Sequence, residues 1–354
     1  MEKPLEIAAF FIEVKMHNQG IFNSSVGNWL FVLGIPMAAL HIGLFASTFN
    51  EWFELIFVAN LWVLGYHHVI ATYTRFESVS GSETRALLIK VPILIGIFVF
   101  TVYFAVGPIA IFTIYLYWQW FHYTRQSDGI SRAIASKSQS KSICFDRFNR
   151  SLFYLASFCC FFWMCSRQGG TFLGQPYWVP HVGELVRFLV LVLGFVAIFI
   201  WVINIFRLKA PLEHIKFFFG YVFSHFLIYM CAYVYIDEFT YGWLVINIWH
   251  NAQYLAFVWL YNSRSSSRGD GPFTRLLYYL SRKSRWPIYF LFFLLVSTLL
   301  YKLIDFLIYQ ASASQVALWM ATVYAVINFH HYVVDGRVWK LRRPIIQERL
   351  RLDV

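Results

Sequence analysis

Residues 314–335 read SQVALWMATVYAVINFHHYVVD. No Lys, Arg or Glu interrupts the run before Asp335, and at about 1.5 Å per residue it extends roughly 30 Å, the thickness of a bilayer's hydrocarbon core. Such a run predicts a membrane-spanning helix, yet it carries His330 and His331 near its end. Polar and ionisable side chains are costly in hydrocarbon, so intramembrane histidines mark a candidate site. The pattern recurs at Tyr66-His67-His68, Trp120-Phe121-His122 and Trp249-His250.

Working outward, 59% of the chain is hydrophobic, 21% aromatic and only 13% charged. That balance excludes an ordinary soluble domain and predicts an all-α polytopic membrane protein. Residues 1–26 carry Glu2, Lys3, Glu6, Glu13 and Lys15 among apolar positions. They read as an amphipathic segment along the membrane surface, not as a signal peptide. Apolar runs at 27–49, 51–73, 87–106, 108–124, 151–165, 182–206, 215–236, 240–262, 286–310 and 314–335 predict a bundle of about ten transmembrane helices. The fifth is short, and Gly107-Pro108 marks either a break or a kink. A transmembrane domain over 27–335 and a basic tail over 336–354 complete the chain.

The net charge of +11 does not argue for nucleic acid, because the cations gather in short loops where they set topology. Arg125, Arg132, Lys137, Lys141, Arg147 and Arg150 follow the fourth run, Arg264 to Arg285 the eighth, and Arg337 to Arg351 the tenth. The opposite connections hold little charge beyond Arg167, Asp237 and Glu238. The asymmetry predicts a multi-pass protein of the cytoplasmic membrane with both termini cytoplasmic and anionic lipids as counterions. Loops 125–150 and 263–285 read as flexible connections. Cys159, Cys160, Cys165 and Cys231 read as buried small apolar side chains, and Cys144 lies in a loop; no spacing suggests disulfides or zinc.

Helical spacing puts His68 on a face with Gly65, Thr72 and Arg75; His122 with Gln119, Arg125 and Gln126; His250 with Asn247, Gln253 and Tyr254; and His331 with Tyr324, Asn328 and Asp335. His67 and His330, about 100° away, meet apolar neighbours. His68 and His331 fall roughly 10 Å inward of Arg75 and Arg337, with His122 nearer the surface and His250 deeper, about 20 Å from Arg264. All four helices run in one direction, so the imidazoles collect in the cytoplasmic half. Neutral imidazole suits iron, copper or zinc, and Asp335 can act as an oxygen ligand or an orienter. A transmembrane histidine can also simply hydrogen-bond across helices. His225 and His41 are spare candidates, whereas His17, His181 and His214 lie near water. Glu184 with Arg187 and Lys302 with Asp305 read as interfacial ion pairs.

The aromatic-His motifs at Tyr66 to His68, Phe121-His122, Trp249-His250 and Phe329 to His331 resemble the integral-membrane histidine-cluster non-haem iron enzymes, namely fatty-acyl desaturases and hydroxylases and carotene-cleaving dioxygenases. No HxxxH or HxxH occurs and the span count exceeds the desaturase fold, so the mononuclear, carotene-cleaving type fits better. The resemblance implies iron or another transition metal, with His68, His122, His250, His331, His67 and His330 as the ligand pool. It implies Asp335 and Tyr254 as catalytic residues, and Asn247, Gln253, Tyr324 and Asn328 as substrate contacts. The expected activity is oxidation of a lipid or lipophilic substrate. No flavin, nicotinamide or iron–sulfur motif is visible, so an electron donor or acidic carrier, such as a ferredoxin or an acyl carrier protein, would dock on the basic face. Two other readings stand beside it. One is a transporter or channel with a histidine relay; the other is a membrane acyltransferase using His331 as general base, suggested by the string His330-His331-Tyr332-Val333-Val334-Asp335-Gly336. No Gly-rich phosphate loop, Gly-x-Ser-x-Gly elbow or HExxH occurs.

Overall fold

A computed structural model describes residues 20–137, 146–167, 170–207, 211–264, 271–311 and 316–352. The structure is 86% helical. Helices α1 (Ser25–Thr48), α2 (Asn50–Ser78) and α3 (Gly81–Val106) are followed by α4 (Pro108–Ala135) and α5 (Arg147–Cys165). Then come α6 (Glu184–Arg207), α7 (Leu212–Tyr235) and α8 (Phe239–Ser263). The short α9 (Pro272–Leu280), then α10 (Trp286–Ala311), α11 (Val316–Val338) and α12 (Pro344–Leu350) complete the order. A helix coincides with each expected span. Six described helices, α1, α2, α3, α6, α7 and the segment Lys283–Gln310 containing α10, are long and apolar enough to cross a membrane.

The surface agrees with that class. Along α10, Leu291, Leu295, Leu299 and Leu303 form an exposed i, i+4 stripe, and α6 exposes Phe188, Leu189, Phe195 and Phe199. Apolar faces of that extent would aggregate a water-soluble protein, so the molecule is a multi-pass membrane protein. Inside the bundle α8 is enclosed, packing on α1, α2, α7 and α12, while α11 packs on α2, α3, α4 and α10. Small residues permit the closest crossings. A β-carbon on Gly242 of α8 would lie 1.9 Å from the Ala232 carbonyl oxygen of α7, which is backbone and cannot rotate away. Gly242→Ala is therefore expected to destabilise the fold by about 3 kcal/mol, the upper end of ordinary overpacking, read as a lowered melting temperature in detergent.

Several connections differ from the expected ones. Gly107 adopts a left-handed φ of 100°, and Pro108 opens α4, so this point is a break and not a kink. The segment after residue 124 is no loop: α4 continues to Ala135 because buried Asp128 accepts from Arg150 and pairs with Arg132, tying the extension to α5. The 263–285 connection contains α9, whose Leu277 and Leu280 are buried while Phe273, Leu276 and Tyr279 are exposed. The 336–354 segment is not a free tail. Its helix α12 buries Ile346 and Leu350, and Arg349 pairs with Glu77. Connection 166–181 folds into a small antiparallel hairpin, Thr171–Phe172 with Gln175–Pro176, turning through Leu173 and Gly174 at positive φ. Most of the surface segment 1–26, with His17, and the loop residues 138–145, with Cys144, and 265–270 lie outside the described residues. The four described cysteines are free.

Candidate metal centre

Each of α2, α4, α8 and α11 delivers one histidine to a common point. On α2 a π-helical turn at Leu61–Gly65 precedes His68, a local widening of the helix that is frequent at functional sites. The His68 Nε2 is 2.9 Å from the His331 Nε2. Ring centroids of His122 lie 5.1 Å from His250 and 4.9 Å from His331, and His68 and His250 are 4.8 Å apart. One nitrogen from each of His68, His122 and His250 lies within 4.8 Å of the others. All four rings are buried.

Buried polar atoms are normally paired, yet His68 Nδ1, His122 Nε2 and His250 Nε2 have no hydrogen-bond partner. Four buried imidazoles, three of them with a nitrogen of unmet capacity, suit a transition-metal ion. Two nitrogens held about 2.1 Å from one ion at right angles stand about 3 Å apart, as the His68–His331 pair does. Among His68, His122 and His250 the separation, up to 4.8 Å, is about half an ångström more than the span of two opposed ligands.

A directional hydrogen-bond chain sets the protonation of His331. Asp335, ion-paired with the fully buried Arg75 at 2.9 Å, accepts the Tyr254 hydroxyl proton. Tyr254 has then no proton left for Thr72, 2.7 Å away, so Thr72 donates to it. The Thr72 oxygen in turn accepts from His331 Nδ1 at 2.8 Å. His331 therefore carries its proton on Nδ1 and turns a lone pair at Nε2 inward. An orienting partner on the outer nitrogen is the usual support of a metal-binding imidazole. On His250 the polarity is reversed: the Gln126 amide nitrogen donates to Nδ1 at 3.2 Å, which fixes the ring through its outer nitrogen as an acceptor. The Arg75 guanidinium also lies over the Tyr254 and Trp339 rings, 4.8 and 4.2 Å from their centroids.

Two chambers flank the histidines. The first, about 310 Å³, is lined mainly by aromatic and apolar groups, among them Tyr66, Tyr115, Trp243 and Tyr301, with Phe172 and Leu173 from the hairpin. Its polar groups are tied to one another: Asn247 donates to Tyr123 at 2.6 Å, Asn60 and Asn251 donate to Asn247, and Trp243 donates to Gln119. The second, about 390 Å³, is lined by Arg125, Gln126, Arg132, Lys340 and Arg342. His122 and Tyr332 line both chambers.

The chosen members of the histidine pairs, His68 and His331, meet; His67 and His330 do not join them. His67 stacks on Phe293, and His330 contacts the Leu87 carbonyl oxygen at 2.7 Å and the Tyr73 hydroxyl at 2.8 Å. The 100° step between adjacent helical residues turns them outward. Gln253 is not at the site: it donates to the Phe31 carbonyl oxygen. Asn247, Tyr324 and Asn328 line the aromatic chamber, and Tyr324 donates to Asp305. Tyr254 and Asp335 act through the Thr72 chain instead of lining the aromatic chamber. The expected staggering in depth of His122 and His250 is absent, because the loop arginines used as markers are not level. Arg75 is internal, and Arg125 sits midway along α4, bonded to the Gly336 carbonyl oxygen. His225 pairs with Ser157 at 2.8 Å away from the cluster, and His41 bonds the Met37 carbonyl oxygen. Tyr332, stacked on His122 at 4.4 Å, also belongs to the site, through a contact between α4 and α11 that spacing along one helix does not reveal. No family model, curated protein or solved structure matches the chain.

Proposed function

We propose that the chain is a membrane-embedded, metal-dependent oxidoreductase acting on a lipid or lipophilic substrate, with His68, His122, His250 and His331 as ligands. The observation that carries the reading is the convergence of four buried imidazoles, three with unpartnered nitrogens, at the wall of an aromatic cavity. An all-nitrogen neutral set suits iron, copper or zinc. Iron is favoured because, among the described residues, no carboxylate lines the aromatic chamber, and Asp335 is engaged by Arg75 and Tyr254 instead of standing ready as a base for hydrolytic water activation. When bound, iron would supply redox chemistry with dioxygen at open coordination positions. The chain's own residues hold the proton on His331 Nδ1, grip an apolar chain between aromatic walls and keep water out. In the same reading about ten helices cross the cytoplasmic membrane, both termini lie on the basic cytoplasmic side, and an acidic electron donor or carrier docks there.

The Thr72 chain makes a specific demand. Thr72→Val removes the acceptor for His331 Nδ1–H, so metal affinity is expected to fall about 10–100-fold, while Thr72→Ser retains it. Competition with a chelator measures both; equal affinity in Thr72→Val would exclude the orienting role.

One observation favours the transporter reading: chambers lie on both sides of His122 and Tyr332, where a conduit through the histidines would run. Solute flux in proteoliposomes of metal-free protein separates the readings. The acyltransferase reading has less support, because the His331 Nε2 faces the His68 Nε2 at 2.9 Å and leaves no room for an acceptor hydroxyl.

A further inference from the structure

The second chamber is a cationic vestibule, in which the described cations outnumber the described carboxylates. Arg125, Lys340 and Arg342 line it, and among the described residues no carboxylate lies within ion-pairing distance of any of them. Arg132 shares Asp128 with Arg150, so that carboxylate neutralises one of two cations. Asp335 is the chamber's one carboxylate, and Arg75 already holds it. One buried donor at the chamber wall, Arg132 Nε, has no hydrogen-bond partner. Crowding shows at Lys340, beyond the end of α11: its ammonium is held below the ordinary range by desolvation and then by Arg337, Arg342 and Arg343, with Glu83 opposing them. Unpaired cations around a concave space, with an unsatisfied guanidinium N–H at its wall, form a receptor for an oxyanion.

We propose that this vestibule binds a phosphate-type oxyanion, and that the substrate is an anionic amphiphile whose head sits there while its apolar chain occupies the aromatic chamber. His122 and Tyr332 line both chambers, so a molecule that occupies both passes the histidine cluster and exposes to it the carbons close to its head. Naming the substrate class in this way rests on reading the histidines as the reacting centre. The vestibule itself does not.

The test is calorimetric, on the full chain in detergent, with dodecyl phosphate, inorganic phosphate and uncharged dodecanol as probes. Arg342→Gln with Lys340→Gln removes two cations from a surface loop and spares the bundle. Dodecyl phosphate is expected to bind at least about tenfold tighter than dodecanol and to lose about tenfold in the double variant, since charge-assisted bonds exceed neutral ones by that order. Weak binding of inorganic phosphate identifies a lipid head; binding as tight as dodecyl phosphate identifies a free anion, which keeps the vestibule but overturns the amphiphile. Equal binding of dodecanol, or no loss in the double variant, overturns the vestibule. Chelator-treated protein is expected to bind dodecyl phosphate as the untreated protein does, so failure of the metal reading and failure of this one are told apart.

Discussion

Replacing His331 by alanine is expected to empty the metal centre, while replacing His330, its immediate neighbour, is expected to leave it filled. The two imidazoles are identical in chemistry and adjacent in sequence, and only their direction differs. His331 meets His68 at 2.9 Å and lies beside His122, whereas His330 is occupied by the Leu87 carbonyl oxygen and the Tyr73 hydroxyl. The loss in His331→Ala should exceed the roughly 10–100-fold that an outer hydrogen-bond partner costs, because a ligand and its orienting chain disappear together. The same contrast holds on α2, where His68→Ala should strip the metal and His67→Ala, at the Phe293 ring, should not. Metal content per chain after gel filtration reads all four variants. Equal loss in both members of either pair would show that folding, not ligation, had been lost.

The second large effect concerns Arg75 and Asp335, a pair buried at the end of the site. Taking two charges from water is costly, and removing one partner strands the other; the usual penalty is about 3–5 kcal/mol. Arg75 is an exposed case of that logic only in sequence: in the fold it is fully buried, and its Nε and one terminal nitrogen have no hydrogen-bond partner. Asp335→Leu is therefore expected to lower the melting temperature sharply, and Arg75→Met with Asp335→Leu to recover most of the loss, since the stranded charge is gone. Metal affinity should stay low in the double variant, because Tyr254 and Thr72 no longer have a carboxylate to end their chain. Stability of Asp335→Leu equal to the wild type, or no recovery in the pair, would contradict this account of the ion pair.

What the sequence makes legible follows from helical periodicity. His68 and His331 stand out because Thr72 and Arg75 share the face of the first, and Asn328 and Asp335 that of the second. The structure joins these faces through bonds from Thr72 to His331 and from Arg75 to Asp335. What stays hidden depends on contacts between helices. Arg75 reads as a loop cation at a membrane boundary until its partner is known. Gln253 reads as a site residue until α1 supplies the Phe31 carbonyl oxygen on its side of α8. The extension of α4 needs Arg150 from α5 to satisfy Asp128. The long apolar helices announce themselves by hydropathy, whereas α4, α8 and α11, which carry three of the four histidines, lack that apolar strength because their inward faces hold the site. Departure from the simple pattern marks function here.

The central claim is that four imidazoles share one ion. Its most direct test is elemental analysis with X-ray absorption on the purified wild-type protein. The account expects about one iron per chain in an all-nitrogen histidine shell, lost on replacing His68, His122, His250 or His331. A folded protein free of transition metal, or one that keeps its metal without those histidines, would contradict it.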